Sequence, residues 1–232
     1  MTDATPDALR PLPPSPPLWE CRGLRHVPPG ASAPLFDGLD LRILPGTTLL
    51  RGGDGRGKTT LLRLIAGELR PQAGTAAAGA GTVFWKDPRR LVADRPAGEG
   101  EGADLPGEQQ TPAAWWDAQA PRWPRWSGPA LAAHVAGFGL GEHAGKRMEQ
   151  LSTGTRRKVL LAAGFASGAQ VLLVDEPVAA LDRASVDYLR EVLMGVSAEA
   201  AAVGPGHGQA VVVAHYDTLG GVPWGQVVEL GD

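Results

Sequence analysis

The run Gly52-Gly53-Asp54-Gly55-Arg56-Gly57-Lys58-Thr59-Thr60 carries the pattern G-x-x-x-x-G-K-[ST] in a chain of 232 residues. Its glycines let successive backbone N–H groups turn inward around an anion. Lys58 reaches the β and γ phosphates of a bound triphosphate, and the Thr59 hydroxyl suits Mg²⁺. A glycine-rich surface turn would share the composition but not the flanks. Thr48-Leu49-Leu50 enters as a short apolar strand, and Leu61, Leu62, Ile65, Ala66 and Leu69 follow at helical spacing. The expected ligand is a nucleoside triphosphate.

A second constellation is Asp175-Glu176, placed directly after Val171-Leu172-Leu173-Val174. An apolar strand ending in two carboxylates is weak evidence alone, since acidic residues are common where a helix opens. Beside a phosphate loop it suits Asp175 to Mg²⁺, usually through water, and Glu176 to orienting or deprotonating the attacking water. His215 ends a further apolar run, Ala210 to Ala214, and is either a capped strand-end histidine or a γ-phosphate contact.

The third is Leu151-Ser152-Thr153-Gly154-Thr155-Arg156-Arg157-Lys158, ahead of a helix-like run from Val159 to Phe165. Cations in a first helical turn oppose the positive end of the macrodipole, at a cost of a few tenths of a kcal/mol each, unless an anion lies nearby. They are either solvated or paired with Glu149, or they face a ligand.

These residues need a frame. Val171 to Val174 and Ala210 to Ala214 are too short for amphipathic helices and rich in β-branched residues, so they read as buried parallel strands with polar groups at their carboxyl ends. Leu39 to Leu44 alternates as a half-buried antiparallel strand does. Pro71 and Gly74 are the expected stop of the helix after the phosphate loop. Residues 1–17 form a Pro-rich tail, 87–112 a long mobile loop rich in Gly, Pro and acid, and 203–209 another surface loop. Residues 113–168 form a helical subdomain inserted into a single domain of 18–232.

Within that subdomain Trp115, Trp116, Trp123 and Trp126 either pack its core or offer anchors to a partner, and both can hold for different members. The net charge of −3 gives no broad basic field, so no nucleic-acid partner is expected. The single cysteine, Cys21, excludes an internal disulfide and reads as a small buried hydrophobe. The first twenty residues lack the pattern of a secretory signal, and no apolar run reaches about 18 residues.

The order of these motifs resembles the nucleotide-binding subunit of an ATP-binding cassette (ABC) transporter, over about residues 18–230. Gly52 to Thr60 is similar to Walker A, Leu151 to Thr155 to the LSGGQ signature, Val171 to Glu176 to Walker B, Ala180-Leu181-Asp182 to the D-loop and His215 to the switch histidine. Gln119 resembles the Q-loop glutamine that senses Mg²⁺ and the membrane partner, with Gln109 and Gln110 close by. The signature departs from the family at Thr153 and Thr155, which stand for a glycine and a glutamine. No tyrosine platform for adenine is apparent, and His26 either substitutes for it or is a structural or solvated histidine.

The resemblance implies an α/β P-loop NTPase with a RecA-like core, an antiparallel β portion and the inserted helical subdomain. It implies ATP and Mg²⁺ as cofactors, Glu176, His215 and Gln119 as catalytic residues, and Thr59, Gln119 and Asp175 around the metal. Ser152, Gly154 and Asp182 would meet the ATP held by the opposite subunit. The partners implied are a second ABC ATPase subunit, a homodimer by default, and a separately encoded transmembrane permease. The location implied is cytoplasmic, peripheral on the inner face of the cell membrane. Transport through that permease is the expected function, in a single-cassette form resembling bacterial heme-exporter and multidrug-type export cassettes. The alternatives are a soluble ABC ATPase with a regulatory or repair role and, disfavoured by the signature, a small-molecule kinase.

Overall fold

The computed structural model describes residues 16–78, 82–91, 105–203 and 208–231. The expected tail falls almost wholly outside them, as do 92–104 of the 87–112 loop and 204–207 of the later one. Two sheets organise the rest. β1 (Trp19–His26), β2 (Phe36–Ile43) and β4 (Ala73–Ala78) form an antiparallel sheet in the order β2-β1-β4. β3 (Gly46–Arg51), β5 (Val83–Phe84), β6 (Val171–Asp175), β7 (Ala210–His215) and β8 (Gln226–Glu229) form a parallel sheet in the order β5-β6-β7-β3-β8.

The two apolar runs expected as buried strands are the centre of that parallel sheet, and every residue of β6 and β7 is buried. Their side chains alternate between two cores. Val211 and Val213 face Leu172, Val174 and the helical segments, whereas Ala210, Val212 and Ala214 face Leu173, Leu61, Leu62 and the antiparallel sheet. Burial on both faces explains why these strands read as continuous apolar runs rather than as alternation. The Leu39–Leu44 expectation corresponds to β2, whose pairing with β1 leaves alternate residues exposed.

Helix α1 (Lys58–Ile65) follows the phosphate loop and packs on the antiparallel-sheet side. It is shorter than the expected helix through Leu69. Gly67 adopts φ 76° directly after the Ala66 C-cap, so the left-handed stop comes before Pro71 is reached. Beyond it, Ala73–Ala78 is a strand although its alanines carry little β propensity; the antiparallel partner β1 decides.

The inserted subdomain opens one residue earlier than expected. Thr111 accepts from the Ala114 N–H at 3.2 Å and Pro112 occupies the first turn of α2 (Pro112–Gln119). Ser127 caps α3 (Gly128–Gly137) in the same way, and Ser152 caps α4 (Thr153–Ala166). Pro88–Leu91, within the expected mobile loop, is a 3₁₀ turn. Trp115 and Trp116 are buried core, with Trp116 Nε1 donating to the Val159 carbonyl, while Trp123 and Trp126 pack at its edge. α5 (Arg183–Val203) then crosses behind β3 and β7.

Candidate functional site

The carboxyl ends of β3, β6 and β7 converge, and each is followed by a candidate residue. β3 leads into the phosphate loop, where Gly57 takes φ 89° and a Cβ there would collide with Leu35 and Phe36. Only glycine serves at that position, since both the backbone conformation and the space forbid a side chain. Lys58 follows, its side chain 7% exposed, and Nζ donates to the Gly52 and Gly53 carbonyls at 2.7 and 3.0 Å. The same ammonium stands 3.6 Å from Glu176 Oε1. A buried cation held by loop carbonyls and two nearby carboxylates, Glu176 and the exposed Asp54 at 4.0 Å, is poised to exchange those partners for phosphate oxygens.

Thr59 Oγ1 donates to Asp175 Oδ2 at 2.7 Å, so α1 and β6 meet through the two residues proposed from sequence as metal ligands. Burial pushes the Asp175 carboxyl above the usual carboxylate range, against the opposing effects of the Thr59 hydrogen bond and the Arg89 and Lys58 charges. Its Oδ1 is buried without a hydrogen-bond partner. A hydroxyl beside a carboxylate with an orphaned oxygen fits a hard divalent cation. No cluster of three or more His, Cys, Asp or Glu forms a metal cage among the described residues, so the remaining ligands would be phosphate oxygens and water.

Glu176 sits at φ 46°, a left-handed conformation uncommon for a residue with a side chain. Its N–H donates to the Ala214 carbonyl at 2.9 Å, and the Arg157 guanidinium donates to its carbonyl at 2.6 Å. These two bonds hold the strained backbone from β7 on one side and α4 on the other. His215 Nε2 lies 3.7 Å from Glu176 Oε2 and makes no hydrogen bond, while Nδ1 stands 3.0 Å from both the N–H and the carbonyl oxygen of Asp217. With Nδ1 accepting from the N–H, the neutral ring carries its proton on Nε2, facing Glu176; with Nδ1 donating to the carbonyl, Nε2 is an acceptor.

Ser152, Gly154 and Asp182 form a separate group. Ser152 Oγ accepts from the Thr155 N–H at 3.1 Å. Asp182 caps α5 by accepting from the Ser185 N–H at 2.8 Å and takes Lys158 Nζ at 3.0 Å; these contacts hold its carboxyl well below the usual range. A Cβ at Gly154 would fall on the Ala180 carbonyl oxygen, so the signature and D-loop segments touch backbone to backbone. The cations after the signature are therefore neither simply solvated nor paired with Glu149. Lys158 pairs with Asp182, Arg157 reaches the Glu176 carbonyl, and Arg156 Nε donates to the Leu151 carbonyl at 3.1 Å.

Two expectations change. Gln119 is fully buried as the last residue of α2, in the subdomain core, and no described contact joins it to Asp175 or Glu176. The segment that leaves the sheet edge and reaches Asp175 is the one after β5, where Arg89 Nη2 lies 3.0 Å from Asp175 Oδ2. Sequence reasoning missed it because β5 spans only Val83–Phe84; the apolar pair ahead of Trp85-Lys86-Asp87 was the available signal. His26 is 5% exposed at the end of β1, so its ring offers no open face for a base.

The family model for ABC transporter matches residues 36–179. The chain is 32% identical over 200 residues to the cytochrome c biogenesis ATP-binding export protein CcmA of Bordetella parapertussis, covering 84% of this chain and 83% of that one. It is 35% identical over 188 residues to the nickel import ATP-binding protein NikO of Rhodobacter capsulatus, covering 76% and 72%. An ABC transporter-type ATP-binding protein of Pyrococcus furiosus shares the fold, with a TM-score of 0.66 at 20% identity over 91% of this chain and 96% of that one. With the family model spanning more than half its length, the chain belongs to the ABC transporter family, as an ATP-binding subunit that hydrolyses ATP.

Proposed function

We propose that this chain binds ATP with Mg²⁺ at the carboxyl ends of β3, β6 and β7 and powers a transporter from the cytoplasmic face of a membrane. One observation carries the reading: Lys58, Thr59, Asp175, Glu176 and His215 come from three separate stretches of sequence and meet within hydrogen-bonding or ion-pairing range. Residues Gly52 to Thr60 wrap the triphosphate, Lys58 exchanges its loop carbonyls for phosphate oxygens, and Thr59 and Asp175 hold the metal. Mg²⁺ held there would supply neutralisation of the phosphate charge. Glu176 accepts a proton from the attacking water, and His215 Nε2 donates to a γ-phosphate oxygen.

Ser152, Gly154 and Asp182 serve the nucleotide of a second copy. In support, no described bond links them to this chain's own phosphate loop, and the Lys158–Asp182 pair holds them as one unit. Among the described residues no helix is long and apolar enough to cross a membrane, and the permease of this reading is a separately encoded chain. Trp123 and Trp126, at the edge of the subdomain core, are candidate anchors for it.

The test is co-purification of tagged Glu176→Gln protein with ATP from detergent-solubilised membranes of the native host. An ATP-dependent dimer with a polytopic membrane protein at near-equal stoichiometry is expected. A soluble complex alone would overturn the transport role, and Lys58→Ala with unchanged ATP affinity would overturn the assignment of the loop.

A further inference from the structure

Asp175 holds two partners on one oxygen. Oδ2 takes the Thr59 hydroxyl at 2.7 Å and stands 3.0 Å from Arg89 Nη2, while Oδ1 has no hydrogen-bond partner. The two side chains differ sharply in environment: Asp175 is 3% exposed and Arg89 55%. A buried carboxylate is thus neutralised by an arm that enters from solvent. Arg89 sits on the Pro88–Leu91 turn after the edge strand β5, and Asp87 steadies its root. The Asp87 carboxylate accepts from the Arg89 N–H at 3.0 Å and from Nε at 3.2 Å. The root is therefore anchored independently of Asp175, and only the outer guanidinium nitrogen touches the metal carboxylate.

A guanidinium 3.0 Å from Oδ2 and a divalent cation on the same carboxylate repel one another as like charges. Lys58 and Arg157 already bring positive charge to the site. We infer that Arg89 is a tethered counter-ion of Asp175 that competes with Mg²⁺ and so sets how strongly nucleotide binding depends on the metal. It covers Asp175 when no metal is present. It swings off as the metal is seated, pivoting on the anchorage at Asp87. Arg89 is in this sense a positioning residue, acting through Asp175 and never through the phosphates. The inference rests on the reading that Asp175 seats the metal.

The experiment measures equilibrium binding of a fluorescent ATP analogue to the full-length chain, in EDTA and in saturating Mg²⁺, at a temperature where hydrolysis is negligible. The quantity read is the ratio of the two dissociation constants. In Arg89→Ala the enhancement by Mg²⁺ rises about three- to tenfold, the size expected for a charge-assisted contact discounted for the arm's exposure, with affinity in EDTA changed by less than about twofold. Arg89→Lys, which keeps the charge, stays near the wild-type ratio and shows that the effect is not one of folding. Asp175→Asn loses most of the enhancement. An Arg89→Ala protein that binds more weakly in EDTA with an unaltered ratio would make Arg89 a phosphate contact and overturn the inference. An unaltered ratio with unaltered affinity would overturn it as well. If Asp175→Asn keeps the full enhancement, the metal seat itself is misassigned, a failure distinct from that of Arg89.

Discussion

Nε2 of His215 stands 3.7 Å from Oε2 of Glu176, and that nitrogen is buried without a hydrogen-bond partner. An unpaired buried ring nitrogen costs free energy, so its persistence marks a place held open for another hydrogen-bonding group. The Asp217 backbone, N–H and carbonyl both 3.0 Å from Nδ1, fixes the ring from behind.

If Glu176 and His215 act on one water and one phosphate, their losses do not multiply. Glu176→Gln and His215→Ala should each lower the single-turnover hydrolysis rate by about a hundredfold or more, and the double variant should be little slower than the worse single. Rate losses that multiply would assign the two side chains to independent steps.

Gly154 touches the Ala180 carbonyl, which leaves no room for a methyl group. Gly154→Ala should leave ATP binding by the isolated chain within about twofold of wild type, because Lys58 and Thr59 are untouched, yet cut steady-state ATPase activity at least about tenfold. Equal loss of binding and turnover would mean that the whole chain had been disturbed rather than the signature segment.

Asp175 gives a pH prediction whose sign is opposite to that of an ordinary ion-paired acid. Burial raises its pKa in the folded chain, so the folded state holds this proton more tightly than the unfolded state does. Its contribution becomes unfavourable as pH rises from the unfolded value of about 3.9 through the raised folded value. Without metal at pH 7, Asp175→Asn should therefore melt no lower than wild type, and a gain of about 1 kcal/mol would appear as about 2–4 °C. The difference should shrink as the pH falls toward 4. A variant that melts several degrees lower at pH 7 would show that the ionised carboxylate stabilises the fold.

Cys21 is 1% exposed on β1, and burial pushes its thiol up to about 11. At pH 8 the thiolate fraction is on the order of 0.1%, and access is closed besides. A disulfide-exchange reagent should leave the native chain unmodified over minutes and titrate one thiol after unfolding in urea. Rapid native reaction would show that β1 opens locally.

What the sequence alone determined is local. The phosphate loop, the strands Val171–Val174 and Ala210–Ala214, the carboxylates after the first and the histidine after the second are legible because neighbouring residues make the signal, through backbone freedom in glycine and continuous burial in the strands. Family membership followed from their order. Tertiary structure decided what depends on separate stretches meeting. The strand order β5-β6-β7-β3-β8 set which loop borders Asp175, giving that place to Arg89 and burying Gln119 in the subdomain core. Pairing with β1 turned an alanine-rich segment into a strand, and Lys158 found Asp182 rather than Glu149. Such contacts join residues far apart in the chain, and their free energy comes from burial and charge neutralisation that exist only after packing, so no local pattern encodes them.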